Sequence, residues 1–379
     1  MFRFRNPRLY VFLLLLTGAF SGCQSVPGEE SPPAANLPDG VPFFLGTYDD
    51  PGVHPPGVYS LLLHTDGSLT NLGRVAQANN PSYLAHSPDR TFLIAVEELD
   101  QQTGNVVSFA VQGDTLVSRN RRPSGGIAPC HVAVDDAGLV SVSNYSSGTL
   151  ELLRIGDEGK LSGPSDLEGH DVFGASSPHA HSSYFINGQR EVIAADLGTD
   201  ELWHYLVDRE KGDLVPADPP TIKLEAGAGP RHLAVHPDGR WIYAINELNS
   251  SVTQLTYDEA SRFTVGESWS TLPPDYAGDN YCADIHISAD GKYLYGSNRG
   301  HNSIAVFAIR PDNGALEPVE HESVAGDWPR NFSLSPDESY LLVANQRSKN
   351  ITTLRRDAAN GTLEYVTSTD VPVPACILF

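Results

Sequence analysis

The stretch GPRHLAVHPDGRWIYAINELNSSVTQLTYD, from Gly229 to Asp258, sets Arg231, His232, His236 and Glu247 among residues that otherwise favour strands. These side-chain types can do chemistry together. A guanidinium offers a planar fork of donors to an oxyanion, carboxylate or phosphate, while a carboxylate or imidazole can hold a water and take its proton. The stretch nearly recurs as CADIHISADGKYLYGSNRGHNSIAVFAI (Cys282 to Ile309), which carries Arg299, and as PRNFSLSPDESYLLVANQRSKNITTL (Pro329 to Leu354), which carries Arg330. No nucleophile elbow, HExxH helix, phosphate loop or dinucleotide fingerprint accompanies them, so no cofactor is expected.

A repeat must position these groups. A proline or its stand-in, followed by an alternating apolar run, occurs at Pro81, Pro129, His179, Pro230, Cys282, Pro329 and Pro374. The period of about 50 residues is that of propeller blades rather than helical solenoids. Each unit reads as strand, Asp-Gly-like turn, strand, polar turn, strand and a variable segment. In the opening stretch these are HLAVH, the turn at Pro237 to Gly239, WIYAIN, the turn at Leu248 to Ser250, and SVTQLTY. FFLGTY (Phe43 to Tyr48) and GVYSLLL (Gly57 to Leu63) lack a preceding first strand, and the terminal VPACILF lacks a following second one. Pairing the two ends closes the ring and removes two exposed edges. The expectation is an all-β, seven-bladed propeller over residues 41–379.

Antiparallel pairing puts the start of a blade's first strand beside the end of its second, so both line one mouth of the central channel. The strand starts bring Cys130 and His131, Ala180 and His181, Arg231 and His232, Ala283 and Asp284, and Arg330 and Asn331 to that mouth. The second-strand ends bring Glu98, Tyr145, Asp196, Glu247, Arg299 and Gln346, with Asn144, Asn246, Asn298 and Asn345 just before four of them. The polar identities change from blade to blade while the apolar positions stay alike, which suits a small-molecule site. Plainer readings stand beside this one. The asparagines can cap strand ends, Arg231 and Glu247 can form an inter-strand ion pair, and His236 can be a packing residue. Asp238 and Asp290 belong to turns.

Composition sets outer limits. The chain has 379 residues with 34 Gly and 28 Pro, a turn-rich pattern that favours β architecture. A net charge of −22 opposes nucleic-acid binding and binding to an anionic membrane surface. Arg3, Arg5 and Arg8 precede VFLLLLTGAF, an apolar run too short to span a bilayer, and then FSGC. FSGC resembles a lipoprotein processing site, so 1–22 is expected to be a signal peptide, with Cys23 lipidated and residues 23–40 a polar, Pro-rich tether. The expected location is the periplasmic face of the outer membrane, with contact to the membrane through the lipid alone. Cys130, Cys282 and Cys376 match no metal spacing and read as small buried residues.

GPRHLAVHPDG…YAINEL, ADIH…DGKYLYGSNRGHNSIAVF and SPDESYLLVANQ closely resemble the seven-bladed lactonase family, which includes propeller-type 6-phosphogluconolactonases and carboxy-muconate cyclases. The resemblance covers roughly residues 41–379. By motif it implies a site of His181 in SPHAHSSYF, Arg231 in GPRHLAVH, Glu247 in INEL and Arg299 in SNRGHNS, the same four that strand geometry brings to the mouth. The implied reaction is hydrolysis of a sugar lactone by base-activated water, with Glu247 first and His181 second as base and the arginines steadying the oxyanion. Arg330, His131, His179, His232, Asp196 and Asn298 complete the expected substrate-binding set. The expected ligand is an anionic or polyhydroxylated lactone, taken by a monomer without metal or cofactor. A non-catalytic envelope propeller that binds a glycan or protein, and a muconate-type cyclase, are the alternatives.

Overall fold

The computed structural model describes residues 39–170, 177–258 and 262–379; Cys23, the signal segment and nearly all of the tether lie outside them. All regular elements among the described residues are strands, grouped in seven four-stranded antiparallel sheets. Blade 1 combines Val41–Thr47, Val58–Leu63 and Leu69–Ala76 with the C-terminal strand Pro374–Leu378 as its innermost member. Phe44 faces Leu378 and Leu45 faces Ile377, which is the ring closure that the unpaired ends of the sequence predict. Blades 2 to 7 follow in chain order, with inner strands Leu84–His86, Pro129–Val134, Ala180–Ile186, Pro230–Val235, Tyr281–Ile287 and Pro329–Leu334.

The apolar positions bury between blades rather than around one centre. Among the described residues seven hydrophobic clusters occur, one at each junction of neighbouring blades. Between blades 5 and 6, Trp241, Tyr243 and Ile245 pack on Ile285, Leu294 and Phe307. Tyrosine hydroxyls reach across three successive junctions: Tyr243 donates to the Gly314 carbonyl at 2.6 Å, Tyr295 to Gly361 at 3.0 Å and Tyr340 to Thr65 at 2.9 Å. Each blade is therefore held by two neighbours, and the channel is left to be lined by whatever the inner strands present.

Candidate active site

Most inner strands begin with a defect in the ladder. In blade 5, Pro230 faces Asn246 and His232 faces Ile245, so Arg231 has no partner on the adjoining strand. The same slip leaves Cys130 unpaired in blade 3, His181 in blade 4, Arg330 in blade 7 and Ala375 in blade 1. A bulge re-aims the extra side chain, here towards the axis. A second device fixes the ends of the second strands. The Glu247 N–H donates to the Gly229 carbonyl at 2.8 Å, and Tyr145, Leu197, Gln346, Tyr48 and Glu98 make the same bond to Ala128, His179, Trp328, Val373 and Asn80. Gly229 has φ +62°, and a Cβ there would lie 2.5 Å from Leu248 Cγ, so only glycine fits without strain.

These devices bring His181, Arg231, Glu247 and Arg299 together from blades 4, 5 and 6. Glu247 Oε2 lies 3.0 Å from Arg231 Nε and 2.6 Å from Arg299 Nη2. The Arg231 contact lies off the N–H axis, so it is an ion pair without an aligned hydrogen bond. Both guanidinium groups are anchored from behind: Arg231 Nη1 donates to the Ala283 carbonyl at 2.6 Å, and Arg299 donates to Tyr281 and Cys282 carbonyls at 3.1 and 3.0 Å. The Glu247 side chain keeps 17 % of its surface open to solvent. The inter-strand ion pair is thus real, yet one carboxylate sits between two cations and its charge does not cancel theirs. Burial and then the Arg231 charge bring the Arg299 pKa down to about 10, which leaves it protonated at neutral pH. His181 Nδ1 is buried with no hydrogen-bond partner among the described residues. Burial, followed by the charges of Arg231, His232, Arg330 and Arg299, holds its pKa well below the usual value, so the imidazole is neutral.

A second cluster closes the other side of the mouth. Tyr48 donates to Glu98 Oε2 at 2.7 Å, and Arg330 Nη2 lies 3.8 Å from the same oxygen. Unlike Arg231 and Arg299, Arg330 makes no side-chain hydrogen bond among the described residues, and its cation lies 5.2 Å from the Tyr48 ring centre. Its donors are free for a ligand.

Beneath the mouth lies a layer of rings. His131 and His232 are buried, 5.7 Å apart, with His181 5.3 Å from His232 and Tyr83 4.3 Å from His131. His232 Nδ1 lies 2.7 Å from Asp284 Oδ1, and Asp284 also accepts from Asn331 Nδ2 at 2.6 Å and the Phe332 N–H at 3.2 Å. Burial and the Arg231 charge bring the His232 pKa down to about 4 against the pull of Asp284, so neutral His232 donates through Nδ1 and presents Nε2 to Arg231 Nη1, 3.4 Å away. His131 is likewise held well below its usual value, by burial and then His232. The sign of the pH effect follows. Groups whose folded pKa is depressed leave the unfolded chain binding more protons, so stability should rise with pH between about 4 and 6.5 and fall on acidification through that window. His286 works the other way, since Asp284 raises it despite burial. Burial also lowers His86 to about 4 and, working the other way, raises Glu151 to about 7. The deeply depressed His86, His131, His181 and His232 outweigh His286 and Glu151. Thermal midpoints measured from pH 7 to 4.5 should therefore drop, while a flat profile would sink this account of the ring layer.

The structure separates the remaining expected residues. His131 and His232 belong to this lower layer, with the Asp284 pair spoken for. His179 stands at the rim, stacked on Tyr145 at 4.5 Å and 11°. Asn298 is buried as a latch, donating to the Thr271 carbonyl at 2.8 Å and Ser303 Oγ at 3.2 Å. Asp196 faces Ala180 as Asn246 faces Pro230, so it holds the latch position of blade 4 and Leu197 holds the mouth position. Its Oδ1 accepts the His179, Gly198 and Thr199 N–H groups and its Oδ2 lies 2.7 Å from His170 Nδ1, all within a fully buried carboxylate. The stand-in for proline in blade 4 is accordingly Ala180, not His179, and His181 is the bulged residue equivalent to Arg231. His236 bonds Asp238 and the Gly291 carbonyl, a packing role. Among mouth residues, Tyr48 escapes a reading of the sequence because blade 1 lacks its own first strand; the pinning bond to Val373 is the signal that places it.

The family model "Lactonase, 7-bladed beta-propeller" matches residues 42–379. A 6-phosphogluconolactonase of Bacillus subtilis is 34 % identical over 346 residues, covering 89 % of this chain and 97 % of that protein. A 6-phosphogluconolactonase of Formosa agariphila is 33 % identical over 85 % of this chain and 94 % of its own length. The solved structure of a periplasmic gluconolactonase of Pseudomonas aeruginosa superposes with a TM-score of 0.84 at 28 % identity, over 89 % of this chain and 98 % of that one. Repeat, ring closure, mouth geometry and these matches agree: the chain belongs to the seven-bladed β-propeller lactonase family.

Proposed function

We propose that this protein is a lactone hydrolase that opens a sugar lactone with water at the channel mouth. The observation that carries the reading is the Glu247 carboxylate held between Arg231 and Arg299 at 3.0 and 2.6 Å while still open to the mouth. Glu247 takes a proton from a water poised at the ring carbonyl. The hydroxide oxygen bonds to the carbonyl carbon, and negative charge moves to the carbonyl oxygen, where guanidinium donors lower its energy. The intermediate collapses, the ring C–O bond breaks, the leaving alkoxide takes back the proton that Glu247 removed from the water, and an aldonic acid is released with the Glu247 carboxylate restored. Neutral His181 borders the same space and offers a nitrogen to the water or to a substrate hydroxyl. Arg330, with free donors, binds an anionic or hydroxyl-rich part of the substrate.

The relatives named for 6-phosphogluconolactone and gluconolactone support this substrate class. A panel of glucono-δ-lactone, its 6-phosphate and smaller lactones, assayed against the spontaneous rate, tests the reading; turnover of none of them would end it and leave a glycan- or protein-binding propeller. Arg299→Ala should lower kcat by about a hundredfold, the usual cost of one transition-state donor, with thermal stability nearly kept. An unchanged kcat would remove Arg299 from the oxyanion role.

Residues 1–22 are proposed to direct export and Cys23 to carry a lipid, with 24–40 as tether, so that the monomeric propeller works at the periplasmic face of the outer membrane. The periplasmic relative supports an envelope location. Cys23→Ser should abolish incorporation of labelled fatty acid and release the protein from membranes; an unlabelled wild-type protein would refute the anchor.

A further inference from the structure

The bond that pins each mouth residue also defines a third ring of positions, the residues whose carbonyls accept it. In blades 3 and 5 these are Ala128 and Gly229, small residues at φ +55° and +62°. In blade 7 the position is Trp328, at φ +67°. A bulky residue in the left-handed region is uncommon and strained, and such strain gathers at functional sites. The blade 6 counterpart, just before Cys282, is Tyr281, whose carbonyl holds Arg299. Tyr281 and Trp328 are neighbours, with ring centres 5.9 Å apart and planes 47° apart, and Tyr281 is 40 % exposed.

We propose that Tyr281 and Trp328 form an aromatic shelf that seats a second sugar unit attached to the lactone, so that the site accepts lactones of disaccharide aldonic acids. This rests on the lactone hydrolase reading of the same mouth. The shelf begins at the reacting centre, because the Arg299 guanidinium carbon lies 5.2 Å from the Trp328 ring centre. The apolar C–H face of a pyranose carries slight positive charge and matches the negative face of an aromatic ring. Arg347, an exposed residue, lies over a face of the Trp328 ring with its guanidinium carbon 3.3 Å from the ring centre, and its side chain makes no hydrogen bond or ion pair among the described residues. Free donors stacked against the aromatic pair are what the hydroxyls of a bound sugar need. The fold asks for the left-handed backbone at this position but not for a ring, since Gly229 and Ala128 serve the same backbone role without one.

That equivalence supplies the test. Trp328→Gly puts into blade 7 the residue that blade 5 already uses, so the backbone relaxes and the fold should stand. With the full chain, Trp328→Gly should raise KM for lactobiono-δ-lactone by about tenfold, the worth of one good aromatic contact, and change kcat and the glucono-δ-lactone constants by less than about twofold. Trp328→Phe should restore most of the affinity. Non-reacting lactobionate should saturably change the tryptophan fluorescence of the wild type, and this signal should vanish in Trp328→Phe. Equal KM shifts for both lactones, no shift for either, or wild-type turnover of the gluconolactone alone would overturn the shelf. If the wild type opens neither lactone, the hydrolase reading fails by itself, and absence of a saturable lactobionate signal then overturns the shelf as well.

Discussion

Glu247→Gln should cost about a thousandfold in lactone turnover, in the middle of the range for losing a positioned general base, while the protein stays folded and still binds substrate. The amide keeps the size and polarity of the carboxylate and can still accept from Arg299, so the mouth keeps its shape. What it loses is the ability to take a proton. It also loses the negative charge between two cations, which leaves the mouth more positive and should hold an anionic substrate or product at least as well as before. A kcat that falls with KM unchanged or lower is therefore the signature. Turnover near the wild-type rate, corrected for spontaneous opening, would take Glu247 out of the mechanism and pass the base role to His181, for which His181→Gln is the next variant. His181 has a handicap in that role. Burial, and after it the nearby arginines and His232, keep it neutral, which leaves a lone pair but a weak one.

Removing residues 373–379 should be the most damaging change to stability. It deletes the innermost strand of blade 1, and with it Ile377 and Cys376, which belong to the two clusters flanking that blade. It also breaks the bond from the Ile377 N–H to Asn331 Oδ1 at 2.7 Å, which ties the closing strand to blade 7. Loss of one such buried aliphatic side chain costs about 3 kcal/mol by itself, and here a paired strand and two junctions go with it. The truncated chain should melt far below the full-length one or fail to fold; equal melting curves would show that the ring does not depend on its closing strand.

Much of this was legible because repetition makes sequence redundant. The strand limits read from HLAVH, WIYAIN and SVTQLTY agree with those found to within two residues, since alternation, Asp-Gly turns and β-branched runs all point the same way. Arg231, Glu247, Arg299 and Arg330 lie at the mouth where the strand ends put them, because blades 5 to 7 keep a proline or a clear match at the anchor. Blade 4 offers no proline. There His179 drew the anchor to itself, and the shift by one residue turned Asp196, a buried latch accepting three backbone N–H groups, into an apparent mouth carboxylate. The bulge was not legible at all. It is a property of how two strands pair, and an apolar alternation reads the same with or without one unpaired residue before it. Tyr281 and Trp328 were hidden for a related reason, since they matter through a backbone carbonyl that every residue type possesses.

The ladder slip at the head of the inner strands separates two kinds of evolutionary constraint. Arg231, His181, Cys130, Arg330 and Ala375 answer to no partner on the adjoining strand, so exchanging one for another leaves the register untouched, and what limits the exchange is contact with the next blade, as of Arg231 with the Ala283 carbonyl. The wall of the channel can then change one position at a time without shifting any strand against its partner. A propeller of this kind resembles a typesetter's frame, in which the letters are changed and the frame is kept, and a laboratory seeking new lactone preferences would begin its libraries at those five positions.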